Sequence, residues 1–381
     1  MKARLLVPLA ALAAFLALPA VGSAAERLVA VDEANRLVVF SSDTPRAITR
    51  VRVTGLGAGE RLLGIDVRPN TGALVGVSSS SRLYTIDASS GAATAIGTAP
   101  FTPAVSGGAF GFDFNPTVDR IRLTSDARQN LRLNPDTGAI AAVDGTLTYA
   151  TTDAGNGTVP QVTASAYTNS VRGATTTQLF NIDAARDVLV LQNPPNNGTL
   201  VTVGPLGVDA QSGSGFDIAP SDGAAWAALR VPGQGGSQLY RISLTTGTAT
   251  LVGRIGGGVA LNGLAALGTA PADTAAPTLS VVKVGTTTKA TALAKAGLAV
   301  RAACNEACTF TARLLLGTRV VGTATATTDV AGSVPLRLRL STAGASTVTS
   351  RGTARLTVRV TATDAAGNAG TAVSRTITAR R

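Results

Sequence analysis

Three aspartates recur at one place in a repeated hexapeptide. Gly64-Ile65-Asp66-Val67-Arg68-Pro69 returns as Gly111-Phe112-Asp113-Phe114-Asn115-Pro116 and as Gly215-Phe216-Asp217-Ile218-Ala219-Pro220. Gathered on one axis, Asp66, Asp113 and Asp217 would offer oxygen ligands to a hard cation such as calcium. The competing reading is structural: each acid caps a turn or holds the neighbouring repeat. We favour it, because repeated residues in repeat proteins usually serve the repeat. The 381 residues contain no histidine, which removes Ser-His-Asp and Cys-His catalysis in their usual forms and most zinc sites. Two cysteines cannot make a four-cysteine metal site. No spacing among the acids selects a glycosidase pair. Catalytic residues and a cofactor are therefore not expected, calcium excepted.

Other residues suggest binding. Tyr84, Phe180, Trp226 and Tyr240 are able to line a carbohydrate groove, but three of the four hold equivalent repeat positions, which favours core packing. Asp273, Asp364 and Asn368 are possible calcium ligands near a linker, although turn chemistry accounts for Asp364 to Asn368 as well. Two polar, turn-rich loops, Thr151 to Pro160 and Asn193 to Gly198, are of the kind that carry binding sites. Cys304 and Cys308 are expected to pair in an oxidising compartment; free thiols are the alternative. In a straight strand their Cα atoms would lie about 13 Å apart, so Asn305-Glu306-Ala307 must turn or bulge.

The elements that position these residues follow from the repeat. Its spacing is about 50 residues, in the range of propeller blades. A degenerate copy stands at Ala164-Ser165-Ala166-Tyr167-Thr168-Asn169. Each copy is followed by a second strand, such as Ala73 to Val77. A third strand comes next, as in Leu83-Tyr84-Thr85-Ile86-Asp87, and then a Gly-bearing turn and a last strand. Four strands per unit is a blade. Leu261 to Leu267 begins a further blade and stops, and Leu28 to Val31, Arg36 to Phe40 and Ala47 to Val53 supply its missing strands. Pairing the two ends closes a ring of five blades without an open edge. An open solenoid or a six-bladed ring is the alternative.

Residues 28–267 resemble the bacterial domain of unknown function 4394. The resemblance rests on Leu-Leu-Gly-Ile-Asp-Val-Arg-Pro-Asn-Thr-Gly from Leu62 and on Asp119-Arg120-Ile121-Arg122-Leu123 with Gln129-Asn130-Leu131-Arg132. Gly215-Phe216-Asp217 adds to it. It implies a secreted or surface protein and no particular reaction.

The ends of the chain differ in character. Lys2 and Arg4, apolar Leu5 to Leu18 and Ser23-Ala24-Ala25 read as a signal peptide over 1–25, with an uncleaved anchor as the alternative. No later segment is apolar enough to span a bilayer. The propeller is expected over 26–268 and a Pro-containing linker over 269–277. Seven short strands within 278–381 fit an Ig-like β-sandwich, and Thr361 to Asn368 resembles the closing hairpin of bacterial Ig-like modules, which serve as spacers or adhesive units. Residues 26–274 carry 17 Arg against 19 acids, whereas 275–381 carry 14 Lys and Arg against Glu306, Asp329 and Asp364. The basicity belongs to the C-terminal module, which suits an anionic envelope polymer or glycan rather than a specific nucleic acid. The sequence thus predicts an all-β, monomeric, secreted or cell-surface protein that binds rather than catalyses. The rival is a propeller hydrolase or lyase acting on polysaccharide or lactone through channel carboxylates and a metal.

Overall fold

The structure, a computed structural model, describes residues 25–269, 275–284, 287–328, 330–364 and 367–381. The signal-peptide segment before Ala25 and Asp273 in the linker lie outside the described residues.

Twenty-one strands build the first domain. β1 (Glu26–Asp32), β2 (Arg36–Ser41) and β3 (Ile48–Arg52) come first. β4 (Leu62–Val67), β5 (Leu74–Ser78), β6 (Leu83–Ile86) and β7 (Ala93–Ile96) form the second blade. β8 (Phe110–Asn115), β9 (Arg120–Ser125), β10 (Asn130–Leu133) and β11 (Ile140–Val143) form the third. The fourth has β12 (Thr148–Tyr149), β13 (Val162–Tyr167), β14 (Leu179–Asp183), β15 (Val188–Gln192) and β16 (Thr199–Pro205), with β12 parallel to β16 at its outer edge. The fifth is β17 (Gly215–Ile218), β18 (Ala225–Arg230), β19 (Ser237–Ile242) and β20 (Ala249–Arg254). β21 (Leu261–Thr269) returns to pair with β1, so the first blade reads β21-β1-β2-β3. The innermost strands touch in the ring order β21, β4, β8, β13, β17 and back to β21. This is a five-bladed propeller closed by both ends of the domain.

The local chemistry is that of short strands and tight turns. In the β6–β7 turn the Asp87 carboxylate accepts from the amides of Ser89 and Ser90, and Gly91 takes φ +75° while donating to the Asp87 carbonyl. Asn134 to Gly138 and Ser243 to Gly247 close in the same way. Apolar clusters then lock neighbouring blades. Val29, Leu37, Leu62, Leu74 and Tyr84 join the first to the second. Val75, Leu83, Phe112, Phe114 and Leu131 join the second to the third. Phe180, Ile182, Phe216 and Tyr240 join the fourth to the fifth, and Leu28, Phe40, Trp226 and Leu239 join the fifth to the first.

The C-terminal region is one curled eight-stranded sheet. Its strands are β22 (Leu279–Val284), β23 (Thr287–Lys289), β24 (Leu298–Cys304), β25 (Cys308–Leu316), β26 (Arg319–Thr328), β27 (Gly332–Leu340), β28 (Thr353–Thr363) and β29 (Val373–Arg380). They lie in the order β22-β24-β27-β26-β25-β28-β29-β23. β22 also lies against β28 and β29, which curls the sheet on itself. Phe310, Leu314, Leu338, Leu356 and Val360 fill the inside with Leu293 of α1 (Ala290–Ala296) and Val348 of α2 (Thr342–Thr349). Seven strands fall where the sequence places them. β23 and both helices are additions, because their Ala- and Thr-rich segments carry no apolar period that marks a helix. Cys304 and Cys308 are paired across the three-residue turn between β24 and β25, with Cα atoms 6.6 Å apart. No helix among the described residues is long and apolar enough to cross a membrane.

Five inner strands crowd the axis, and Gly215 shows how closely. A Cβ there would meet backbone carbon and oxygen of Gly263 on β21 at 2.4 and 2.5 Å. Gly215→Ala is therefore expected to lower stability by about 1–3 kcal/mol, an overpacking penalty. Gly257→Ala, with open space around the new methyl group, should stay within about 0.5 kcal/mol. Denaturant unfolding of both variants checks this.

Candidate functional site

The three sequence-selected aspartates come together. One carboxylate oxygen from each of Asp66, Asp113 and Asp217 lies within 4.8 Å of the other two, and the residues are 4%, 1% and 3% exposed. Each acid reaches across to the next blade. Asp66 Oδ2 accepts from the amide of Phe114, Asp113 Oδ1 from Tyr167, and Asp217 Oδ2 from Ala266, at 2.8, 3.1 and 2.6 Å. Asp66 and Asp217 also accept from the amides of Val67 and Ile218 with their other oxygen. The acceptors thus satisfy inner-strand amides that have no strand on the axial side to pair with. The corresponding positions of the other two blades are Ala166 and Ala265, which accept nothing through a side chain.

The acids' environment disfavours ionisation. Burial raises all three carboxyls, and the neighbouring carboxylates raise Asp66 and Asp113 further. Asp217 is pushed up to about 7, by burial first and by Glu26 in addition. As metal ligands the trio fits in part. Oxygens up to about 4.8 Å apart can share one calcium at 2.3–2.6 Å. Five of the six oxygens already serve backbone amides, however, and only Asp113 Oδ2 has no partner among the described residues.

Above this layer the channel narrows to about 10 Å³ between Gly64, Gly111, Ala164, Gly215 and Gly263. It then widens to a funnel of about 490 Å³ at the start of the inner strands, lined by Asp32, Glu33, Asn35, Arg61, Arg230 and Asn262. Asp32 pairs with Arg36 at 2.7 Å and Glu33 with Arg230 at 3.0 Å. The funnel is polar and of mixed charge, in the size range of small-ligand sites.

A second polar region lies between the third and fourth blades. Arg122, 1% exposed, donates to Asn130 and Asp144 through Nη1 at 2.8 and 2.6 Å, to Asn196 through Nη2 at 2.8 Å, and to Tyr167 through Nε at 3.3 Å. Arg132 grips Asp144 with Nε and Nη2 at 2.7 and 2.9 Å. The bonds continue through Gln192 and Asn181 to Ser165 and Thr124. Among the described residues, this is the blade interface without an apolar cluster joining its two sides. Here the sequence does carry a signal. Arg122 stands where the register of the other blades places Val75, Phe180 and Trp226, so a charge occupies a repeat position that is otherwise apolar.

The remaining sequence candidates have simpler places. Tyr84, Phe180, Trp226 and Tyr240 are buried in blade interfaces and line no groove. Asp364 holds its own turn, accepting from the backbone and side chain of Asn368. Asp153 of the 151–160 loop accepts from Thr202 and ties that loop to β16. The 193–198 loop covers the arginine region through Asn196 and the Pro195 carbonyl.

The family model for a domain of unknown function, DUF4394, matches residues 36–265, more than half of the chain. The chain belongs to the DUF4394 family. Its blades supply both halves of the match quoted from sequence: the aspartate strands and the Asp119 to Arg132 segment. No match was found among curated proteins. Among solved structures, this DUF4394 protein is similar to a structural genomics protein of unknown function from Bacteroides thetaiotaomicron. The identity is 14%, the coverage 65% of this chain and 66% of that one, and the TM-score 0.36. It is also similar to the dihydro-heme d1 dehydrogenase NirN, at 14% identity, 81% and 55% coverage and a TM-score of 0.31. The chain thus spans no more than about two thirds of either, and likenesses at this level carry no argument about activity.

The aspartate layer makes a signed prediction. Because the folded pKa values are raised, the folded state holds protons that the unfolded chain releases above about pH 4. Asp217's contribution to stability is full below that pH and is lost as pH rises through about 7, while Asp66 and Asp113, raised well above the usual carboxylate range, act in the same direction. Asp217→Asn removes an acceptor, costing on the order of 1–3 kcal/mol at pH 4. Its deficit relative to the parent should shrink between pH 4 and pH 8, by up to about 1.4 kcal/mol per pH unit. Urea unfolding of both proteins across that range measures it.

Proposed function

We propose that this DUF4394 protein is an exported, non-enzymatic binding protein. The propeller presents the recognition face, and the C-terminal module, in the manner of Ig-like spacers, holds it against an anionic envelope polymer or glycan. The observation that carries the reading is the outer face of the curled sheet. No acid occurs in any of its strands. Arg313 of β25 stands directly opposite Arg359 of β28, with Thr311 and Thr361 beside them around a depression of about 180 Å³. Like charges placed directly opposite repel each other, so such a pair gains from an anion laid across it. Arg355 is exposed further along β28, and Arg337 is exposed on β27 of the same sheet.

Export is supported by the N-terminal segment and the Cys304–Cys308 pair. The axial funnel, with Glu33, Arg61 and Arg230, suits a hydrophilic ligand. The aspartates speak for binding rather than hydrolysis. They are buried beneath the glycine neck and bonded to neighbouring amides, so a polysaccharide at the funnel does not reach them. No metal is required for that strapping role, and EDTA treatment is expected to leave the thermal midpoint unchanged.

The test is retention of the full mature chain on an anionic polysaccharide. Binding should weaken as salt rises, because exposed charge is screened. The double variant Arg313→Gln, Arg359→Gln should weaken it several-fold without lowering the thermal midpoint, since the repulsion between the two is removed with them. Retention that is indifferent to both salt and the double variant contradicts the proposal.

A further inference from the structure

The region between the third and fourth blades is built as a site. On the face of the third blade turned to the fourth, Asp113, Arg122 and Arg132 stand side by side on β8, β9 and β10. In the second blade the same row is Asp66, Val75 and Thr85. In the fifth it is Asp217, Trp226 and Arg241, and in the fourth Ala166, Phe180 and Leu191. At the second of these positions a repeat needs an apolar residue to fill the blade interface. A buried guanidinium there carries a desolvation penalty that packing does not require.

The charges are also unbalanced. Arg122 and Arg132 share the single carboxylate of Asp144. Arg120 borders the same cavity, and its Nη1 rests on the carbonyl oxygen of Asp119. The Asp119 carboxylate is hydrogen-bonded to Arg68, which Asp136 also answers, and it reaches Arg120 only through space. Nη1 of Arg132 has no partner among the described residues. Three guanidinium groups thus line a cavity of about 180 Å³ whose wall holds no carboxylate; Asp144 is ion-paired with two of them and Asp119 acts on Arg120 through space, and Asn115, Tyr167 and Asn196 complete the polar wall.

The geometry points to a binding site for a small hydroxylated carboxylate at Arg120, Arg122 and Arg132 between the third and fourth blades. Planar paired N–H donors match a carboxylate. The Asn amides and the Tyr167 hydroxyl suit the hydroxyl groups that accompany it. The cavity is below the usual 300–1,000 Å³ of ligand sites, so it admits one sugar-acid unit and not a chain. That unit comes either as a free acid or as the end of an acidic polysaccharide. The site lies at the end of β8 away from the axial funnel and stands independently of the anchoring role of the C-terminal sheet.

Calorimetric titration of the full mature chain tests it, with glucuronate, glucose, inorganic phosphate and a glucuronate-terminated oligosaccharide as probes. Glucuronate is expected to bind and glucose not. Arg120→Gln, which leaves the Arg122 and Arg132 bonds in place, should weaken glucuronate binding at least tenfold without moving the thermal midpoint. Arg120→Lys should fall between, keeping charge without the planar donor pair. An oligosaccharide that binds as well as glucuronate identifies a polymer end as the source. One that does not bind, while glucuronate does, identifies the free acid. No heat with glucuronate, equal affinity for phosphate, or glucuronate binding unchanged in Arg120→Gln overturns the assignment.

Discussion

Closing five blades brings the inner strands so close that one level of the axis holds four glycines and a single methyl group. Gly64, Gly111, Ala164, Gly215 and Gly263 surround a neck of about 10 Å³. Close approach creates a second problem, since the axial side of an inner strand has no partner for its amides, and a buried unpaired amide is costly. Asp66, Asp113 and Asp217 answer it by carrying a carboxylate oxygen to Phe114, Tyr167 and Ala266 of the next blade. The raised carboxyl groups are the electrostatic consequence of gathering three acids in a dry layer. One constraint therefore explains the glycines, the repeated aspartates and their reluctance to ionise.

The same frame makes the third and fourth blades stand out. Four interfaces are sealed by apolar clusters, and sealing is all that stability asks of them. The remaining one is a continuous run of polar bonds from Arg132 through Asp144, Arg122, Asn130 and Gln192 to Asn181 and Ser165. Once satisfied, such a network fixes one geometry strongly. Its departure from the repeat is confined to one interface and coincides with an arginine-lined cavity, which separates it from the general architecture.

Much of the propeller was legible because the repeat writes its geometry into the residues. The hexapeptide with Asp66, Asp113 and Asp217 marks each inner strand. The Asp87-to-Gly91 type of turn marks the outer hairpin, and the apolar stubs at the two ends announce the shared blade. The structural reading of the acids is visible there too, although their partners are not. Phe114, Tyr167 and Ala266 donate backbone amides, which leave no trace in residue type. The arginine cavity was harder to see. Arg120, Arg122 and Arg132 lie in a recognisable segment, but Asn196 and Tyr167 come from another blade, and only register shows that Arg122 replaces an apolar filler. β23 and the two short helices escaped because three to eight residues of Thr and Ala carry no period.

The account turns on aspartates acting as straps between blades. Residue-resolved amide hydrogen exchange of the native protein measures those bonds directly. The amides of Phe114, Tyr167 and Ala266 should exchange as slowly as the interior amides of β9, despite having no strand partner on the axis. In Asp66→Ala, Phe114 alone of the three should lose most of its protection. Rapid exchange at all three amides in the parent protein, or protection at Phe114 that survives Asp66→Ala, would contradict the account.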